Sequence, residues 1–427
     1  MKKRFFMLLL GFLTAYSSGF RADALTAPLF EASFLQGWYC AGWDAGRWET
    51  ELRDMKAAGF RTVILQSSAD FTYAYSESAG AKTDPAASSL QTASALYPTG
   101  LVSGSEQSAA LENALRAAAE CEMQVMIGTV SDSRWWNYGW GVPDEGFAEW
   151  SEQNAADNAA VIREIWEQFG GTYAAQIAGF YYNNEIWNMD AACAGRDSGQ
   201  TAQIIGKNIR ACLDVIGALC PEKPLLVSPF YNPELSGSQQ FAAFLEQICR
   251  EAQLRPQDII ALQDGGGRDL SPDALLEWCD AVQSALSPAV RFWINNETFG
   301  SDSSPKDMET LRLNYQATSA AEAHILFSWN HYYHENLSAE FDKPLHTMTG
   351  DVNGDGFCSV ADAVTLTRWL MHDRIQLMNW KAADFDGSGS LNAADLSLLK
   401  MHLMEAQAGK SARSATILTL QGDFCSG

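Results

Sequence analysis

From residue 34 to 331 one pattern recurs eight times, and it constrains the fold more than any other feature of the chain. A short apolar run rich in β-branched or aromatic residues gives way to a polar loop, then to an amphipathic stretch of 3.6-residue period. The runs are FLQGWYC, RTVILQ, QVMIGTV, IAGFYYNNE, PLLVSPF, DIIALQD, VRFWINNE and HILFSWN. Between them lie helical patterns such as WETELRDMKAAG, NAAVIREIWEQFG, FAAFLEQICREA and SPDALLEWCDAV. The last opens on Ser271-Pro272, an N-cap followed by proline in the first turn. Eight strand–helix units over about 300 residues are what a closed (β/α)8 barrel requires. Strands that are apolar almost throughout are covered on both faces, as parallel strands are. The alternative is an open doubly wound sheet, but no Gly-x-Gly-x-x-Gly turn follows the first strand.

Two strand-to-helix connections are long. Residues 67–104 are a Ser/Ala/Thr/Gly-rich insertion after the second strand, and residues 131–150 follow the third. Such loops lie on the face of a barrel that carries function. The N-terminus has Lys2, Lys3 and Arg4, an apolar run to Ala15, and a small-x-small site at Ala22-Asp23-Ala24. This predicts a signal peptide over 1–24, and no later segment approaches about 18 uninterrupted apolar residues. A secreted, extracellular protein without a membrane span is expected. The net charge of −23 disfavours nucleic acid and anionic membranes as partners. Nine cysteines form no Cys-x-x-Cys pair, and no disulfide is assigned. A Cys358–Cys425 link would tie down the tail.

The composition changes at residue 350. GDVNGDGFCSVAD and ADFDGSGSLNAAD are near-duplicates 33 residues apart, each followed by an amphipathic helix. Each sets oxygen donors at positions 1, 3, 5 and 12 of a twelve-residue loop: Asp351, Asn353, Asp355 and Asp362, then Asp384, Asp386, Ser388 and Asp395. Gly356 and Gly389 fill the sharp turn at position 6, and Phe357 and Ser390 offer carbonyls at position 7. This is the donor pattern of an EF-hand-type loop, because Ca2+ takes about 6–8 oxygens. The expectation is two Ca2+ sites, and no cofactor in the barrel. The paired loops, with Asp at position 12 and a C-terminal location, resemble a dockerin module. That resemblance implies a cohesin domain of a scaffold protein as partner, and a cellulosome as setting. Positions 10 and 11, where many dockerins carry partner-choosing polar residues, are here Val360-Ala361 and Ala393-Ala394. The expected organisation is a barrel over 25–348, a small all-α calcium-binding domain over 349–405, and a tail over 406–427.

The fourth and seventh runs both end in Asn-Asn-Glu. In a barrel the C-terminal ends of strands converge on one cavity, so Glu185 and Glu297 are candidates for a carboxyl pair. A retaining glycosidase needs such a pair: one carboxyl protonates the leaving oxygen while the other, ionised, attacks the anomeric carbon. The bland reading is that each caps the helix that follows. Asn-Glu after strand 4 with Glu after strand 7 resembles the retaining β-glycosidases of the large clan of (β/α)8 hydrolases. The resemblance implies Glu185 as acid/base, Asn184 on the sugar 2-hydroxyl and Glu297 as nucleophile. The stretch GWYCAGW…AGFRTVILQ also resembles an uncharacterised family of glycosidase-like barrels found in gut and rumen bacteria.

Further substrate contacts are expected from Asn296, Tyr182, Gln66 and the aromatics Trp43, Trp135, Trp136, Tyr138, Trp140, Trp187 and Trp329, because flat rings suit the apolar faces of sugars. Tryptophans at strand ends also simply seal a barrel top. Asp264, before Gly-Gly-Gly-Arg, reads as a turn former. Strand 1 lacks the His-x-His of metal-dependent amidohydrolases, and no strand ends in the lysine of a Schiff-base aldolase. His331 and His334 in HYYH read as loop residues. The leading expectation is a glycoside hydrolase acting on plant cell-wall polysaccharide; the alternative is a non-catalytic carbohydrate-binding barrel displayed through its dockerin.

Overall fold

The computed structural model describes residues 30–57, 59–74, 89–101, 106–135, 146–188, 198–286, 289–301, 305–306, 308–329, 350–353, 358–371, 377, 380–386 and 391–404. They form two compact units, a barrel over 30–329 and a C-terminal unit over 350–404. The signal segment, Trp136, Tyr138, Trp140, His331, His334, Asp355, Phe357, Ser388, Ser390, Cys425 and the tail lie outside the described residues.

Eight parallel strands close the barrel in the order β1, β12, β11, β10, β9, β8, β6, β2. They are β1 (Ala32–Leu35), β2 (Thr62–Leu65), β6 (Gln124–Gly128), β8 (Ile177–Tyr182), β9 (Leu225–Val227), β10 (Ile259–Gln263), β11 (Arg291–Glu297) and β12 (Ala323–Phe327). Each falls within or against one of the eight apolar runs. The first is shifted: FLQGWYC is not strand throughout, because β1 ends at Leu35 and Gly37–Cys40 is one helical turn. The expected helix start at Ser271 is present, with its Oγ accepting from Ala274 N–H (3.3 Å) ahead of Pro272–Leu286.

The 67–104 insertion is not plain loop. It contains β3 (Ala69–Ala74) and β4 (Ser89–Ala95), an antiparallel pair. Together with β5 (Glu106–Gln107) and β7 (Val130–Asp132) they make a four-stranded sheet in the order β5, β4, β3, β7. β3 and β7 continue just beyond barrel strands β2 and β6, so one side of the barrel mouth is built up by strands.

Alternate residues fill the barrel interior: Ala32 and Phe34 from β1, Ile64, Met126, Tyr181, Leu226, Ile259 and Ala261, Trp293, and Ile325. β8 breaks the simple alternation. Val125 pairs with Ile177 but Met126 pairs with Gly179, so β8 holds one residue more than β6, a bulge. Ala178 and Tyr181 both face inward as a result. Gly179 is required there: its φ is +157°, and a Cβ would collide with the Pro224 carbonyl oxygen and lie 2.9 Å from Pro224 Cγ.

The C-terminal unit has helices Val360–Leu370 and 393–404 with a short turn at Trp380–Ala383. Ser359 and Asp362 form a capping box on the first helix. Among the described residues Cys40, Cys121, Cys212, Cys220, Cys249 and Cys279 are free thiols. No helix among them is long and apolar enough to cross a membrane.

Gly179→Ala is expected to destabilise the barrel by ~2–3 kcal/mol, because the clash is with backbone. Gly217→Ala, on a helix with nothing within 4 Å of the new methyl, is expected to be neutral or stabilising by ~0.5–1 kcal/mol. Denaturant melts of the two variants check this, and equal midpoints would count against it.

Candidate active site

Past the bulge, β8 resumes regular alternation in register with β6. After Tyr181 the inward side of the chain leads to Glu185, three residues past the end of β8 rather than at its last position. β11 needs no bulge: Trp293, Asn295 and Glu297 face in, while Phe292, Ile294 and Asn296 face the helices. Glu185 and Glu297 line one cavity of about 290 Å³, with Phe34, Tyr181, Phe230, Gln263, Asn295, Phe299 and Phe327. The structure thus brings together the two glutamates that the sequence pairs.

Their surroundings differ. Glu297 Oε2 accepts the Gly267 N–H at 2.6 Å, and the Lys306 ammonium donates to the Glu297 carbonyl at 2.9 Å. Both favour the ionised form. Burial, the nearby charge of Asp264 and that of Glu185 oppose them, and Glu297 is pushed up to about 7. Among the described residues no cation stands beside Glu185. Burial pushes it up to about 7 as well, against one hydrogen bond from Gln263. Burial is the largest cause for both, so each carboxyl holds its proton to higher pH than an exposed one would.

Asp264 organises the wall behind Glu297. It is fully buried. Its Oδ1 accepts from Gly266 N–H (2.8 Å) and Glu297 N–H (3.2 Å), and its Oδ2 accepts from Asn296 Nδ2 (2.9 Å). Asn296 Oδ1 lies 2.8 Å from His324 Nδ1. Burial holds His324 down to about 3, so the ring is neutral and Nδ1–H donates. Asp264 is therefore more than a turn former.

Several expected sugar contacts are elsewhere. Asn296 is buried in the Asp264 network, facing away from the cavity. Asn184 Nδ2 donates to Asn154 Oδ1 (2.8 Å) and to the Tyr182 hydroxyl (3.1 Å), so Asn184 and Tyr182 pack against helix Phe147–Ile165. Trp329 is wholly buried, its Nε1 donating to Glu51 at 2.6 Å. Trp135 is buried against Trp150. Trp187 stacks behind Phe230 at 5.6 Å and 4°, one layer from the cavity. Trp43 packs on Trp48 beneath Arg47, and Gln66 is not in the lining. The residues that sequence reasoning missed are Asn295 and Gln263, which are the polar lining, and Phe34, Tyr181, Phe230, Phe299 and Phe327, which are the aromatic one. Counting back two from Glu297 would have found Asn295.

In the C-terminal unit Asp351, Asn353, Asp362 and Asp395 are buried. Asp384, Asp386 and Asp395 place one carboxylate oxygen each within 4.8 Å of one another, a convergence of like charge that fits a divalent cation. Asp362 accepts from Val352, Asn353 and Ser359 N–H groups at 2.7, 3.0 and 2.7 Å, folding the first loop around itself.

The class defined by this geometry is a parallel eight-stranded barrel with a carboxyl pair in its mouth, linked to a small helical domain that carries a cluster of acidic side chains. The chain belongs to the family described as Domain of unknown function (DUF4434), whose model matches residues 31–339. The type I dockerin domain matches residues 349–404. No curated protein matches the chain. Among solved structures the chain is similar to a putative α-L-fucosidase from Bacteroides thetaiotaomicron, at 18% identity and TM-score 0.55, covering 77% of this chain and 92% of that one. It also matches a β-galactosidase from Marinomonas ef1, at 12% identity and TM-score 0.47, covering 80% of this chain and 60% of that one. A third match is a family 1 glucosidase from Thermotoga maritima, at 10% identity and TM-score 0.41, covering 71% and 90%. At these identities the likeness is one of fold.

Raised carboxyl pKa values carry a stability consequence. A group whose folded value lies above its ordinary 4.5 contributes stability below pH 4.5 that is lost as pH rises through about 7. Glu297→Gln and Glu185→Gln are therefore expected to gain ~1 kcal/mol or more over the parent chain between pH 4.5 and 7.5. Melts across that range check it; a pH-independent difference would overturn it.

Proposed function

We propose that this chain is an exported, dockerin-borne glycoside hydrolase that cleaves plant cell-wall polysaccharide with retention of configuration. The observation that carries the reading is the meeting of Glu185 and Glu297, from strands 4 and 7 of the barrel, in one aromatic-lined cavity. Glu185 is buried with no cation among its described neighbours and is suited to hold a proton for the leaving oxygen. Glu297 has the Gly267 N–H and Lys306 to support its charge, as a nucleophile needs. Gln263 and Asn295 offer amides for sugar hydroxyls, and the phenyl rings cover apolar ring faces.

Glu185→Ala and Glu297→Ala are each expected to lower kcat by about 100-fold or more on the true substrate. A mechanism-based fluorosugar is expected to label the peptide that carries Glu297. Unchanged hydrolysis in both variants, or a label on Glu185, would refute the assignment. The pH profile of kcat/KM is expected to be bell-shaped around neutrality. In Asp264→Asn the acid limb is expected to move to lower pH, because a charge that raises Glu297 has been removed.

The C-terminal module is proposed to bind two Ca2+ ions through Asp351, Asn353, Asp355, Phe357 and Asp362, and through Asp384, Asp386, Ser388, Ser390 and Asp395, and to dock on a cohesin domain outside the cell. A domain this small depends on its metal for stability. In the full chain, a chelator is expected to make residues 349–404 cleavable by limited proteolysis, and added Ca2+ to restore protection. Equal cleavage in both conditions would refute it.

A further inference from the structure

A second cavity of about 360 Å³ adjoins the first and shares Phe230, Gln263, Glu297 and Phe299 with it. Glu297 thus stands between two halves of one cleft. One half contains Glu185; the other is walled by Tyr231 and the turn Gly265–Arg268.

The turn is bare of side chains for a physical reason. A Cβ on Gly265, whose φ is +74°, would lie 2.7 Å from the Tyr231 hydroxyl. One on Gly266 would lie 2.8 Å from Asp264 Oδ1 and collide with Lys306 Nζ, and one on Gly267 would lie 2.6 Å from Phe299. The glycines let the backbone press against the groups that support Glu297. The first long side chain after them is Arg268, and it lines the second half of the cleft.

Arg268 is the one cation among the described residues lining either half. Several other arginines in this acidic chain are matched to carboxylates, among them Arg47 to Glu51, Arg255 to Asp258 and Arg291 to Glu322, but none of these lines the cleft. Arg268 is exposed and has no such partner among the described residues. The charges that act on Glu297 are Asp264, Lys306 and Glu185, so the guanidinium is not the counter-ion of the carboxyl pair. Its planar fork matches the two oxygens of a carboxylate.

We infer that the half of the cleft beyond Glu297 is a subsite for a sugar bearing a carboxylate, a uronic acid, and that Arg268 is its specificity-determining residue. This rests on the glycosidase reading of the cleft. A sulfate ester brings the same charge without the planar two-oxygen edge, and the test separates the two.

The test is calorimetric titration of the full chain with matched methyl glycosides: glucoside, galactoside and mannoside, their uronic acids and their 6-sulfates. One uronide is expected to bind about 10-fold or more tighter than its neutral counterpart. The preference is expected to weaken with added salt, to shrink in Arg268→Lys and to vanish in Arg268→Gln. Neutral sugars and uronides binding alike, a preference that survives in Arg268→Gln, or a preference for sulfate alone would overturn the inference while leaving the glycosidase reading standing. Binding of no sugar at all would overturn both.

Discussion

A carboxylate withdrawn from water persists only where its lone pairs are taken up by donors. Asp264 meets that condition with two backbone N–H groups and the amide of Asn296, and the arrangement of the cavity wall follows from it. The same bonds fix the end of β10 to the end of β11 and, through Asn296 and His324, to β12. Tyr231, beyond β9, adds a hydrogen bond to the Asp264 carbonyl at 2.9 Å. Three barrel strands are held to one buried oxygen pair and a loop to the same residue's carbonyl, so the backbone that carries Glu297 is fixed before any ligand arrives. The charge is used twice, since it also raises the proton affinity of Glu297 against the pull of Lys306.

The barrel was legible because its strands are apolar on both faces, and all eight runs contain or adjoin a strand. The dockerin was legible because the spacing of its paired acidic loops is a local property of the chain. The sheet made by β3, β4, β5 and β7 was not, since Ser89–Ala95 is largely exposed and carries few apolar residues. Its pairing depends on β3 and β7 being delivered side by side by the barrel. β1 was placed too late because FLQGWYC continues its apolar character into a helical turn.

At the site, composition separated the glutamates from the background but could not say which neighbours share their face. Asn296 and Asn184 adjoin the glutamates in sequence and point away from the cavity, because adjacent residues alternate sides. The conspicuous tryptophans went to packing: Trp329, Trp135 and Trp187 are buried. The less conspicuous phenylalanines took the lining. Large indoles gain most from burial, and a cavity of this size is walled by what remains at inward positions.

The register of β8 makes the meaning of a motif depend on residues outside it. Loss of the extra residue at Ala178 would only straighten the bulge, because Gly179 to Tyr181 would keep their partners on β6. A relative that lost one residue between Gly179 and Tyr182 would also keep Asn-Asn-Glu intact in any alignment, but its strand would turn Asn184 toward the interior and carry Glu185 into the helical layer. Inheritance of the motif would not guarantee inheritance of the chemistry. Within this family, the length of the fourth strand is the character to compare before any role is transferred along the alignment.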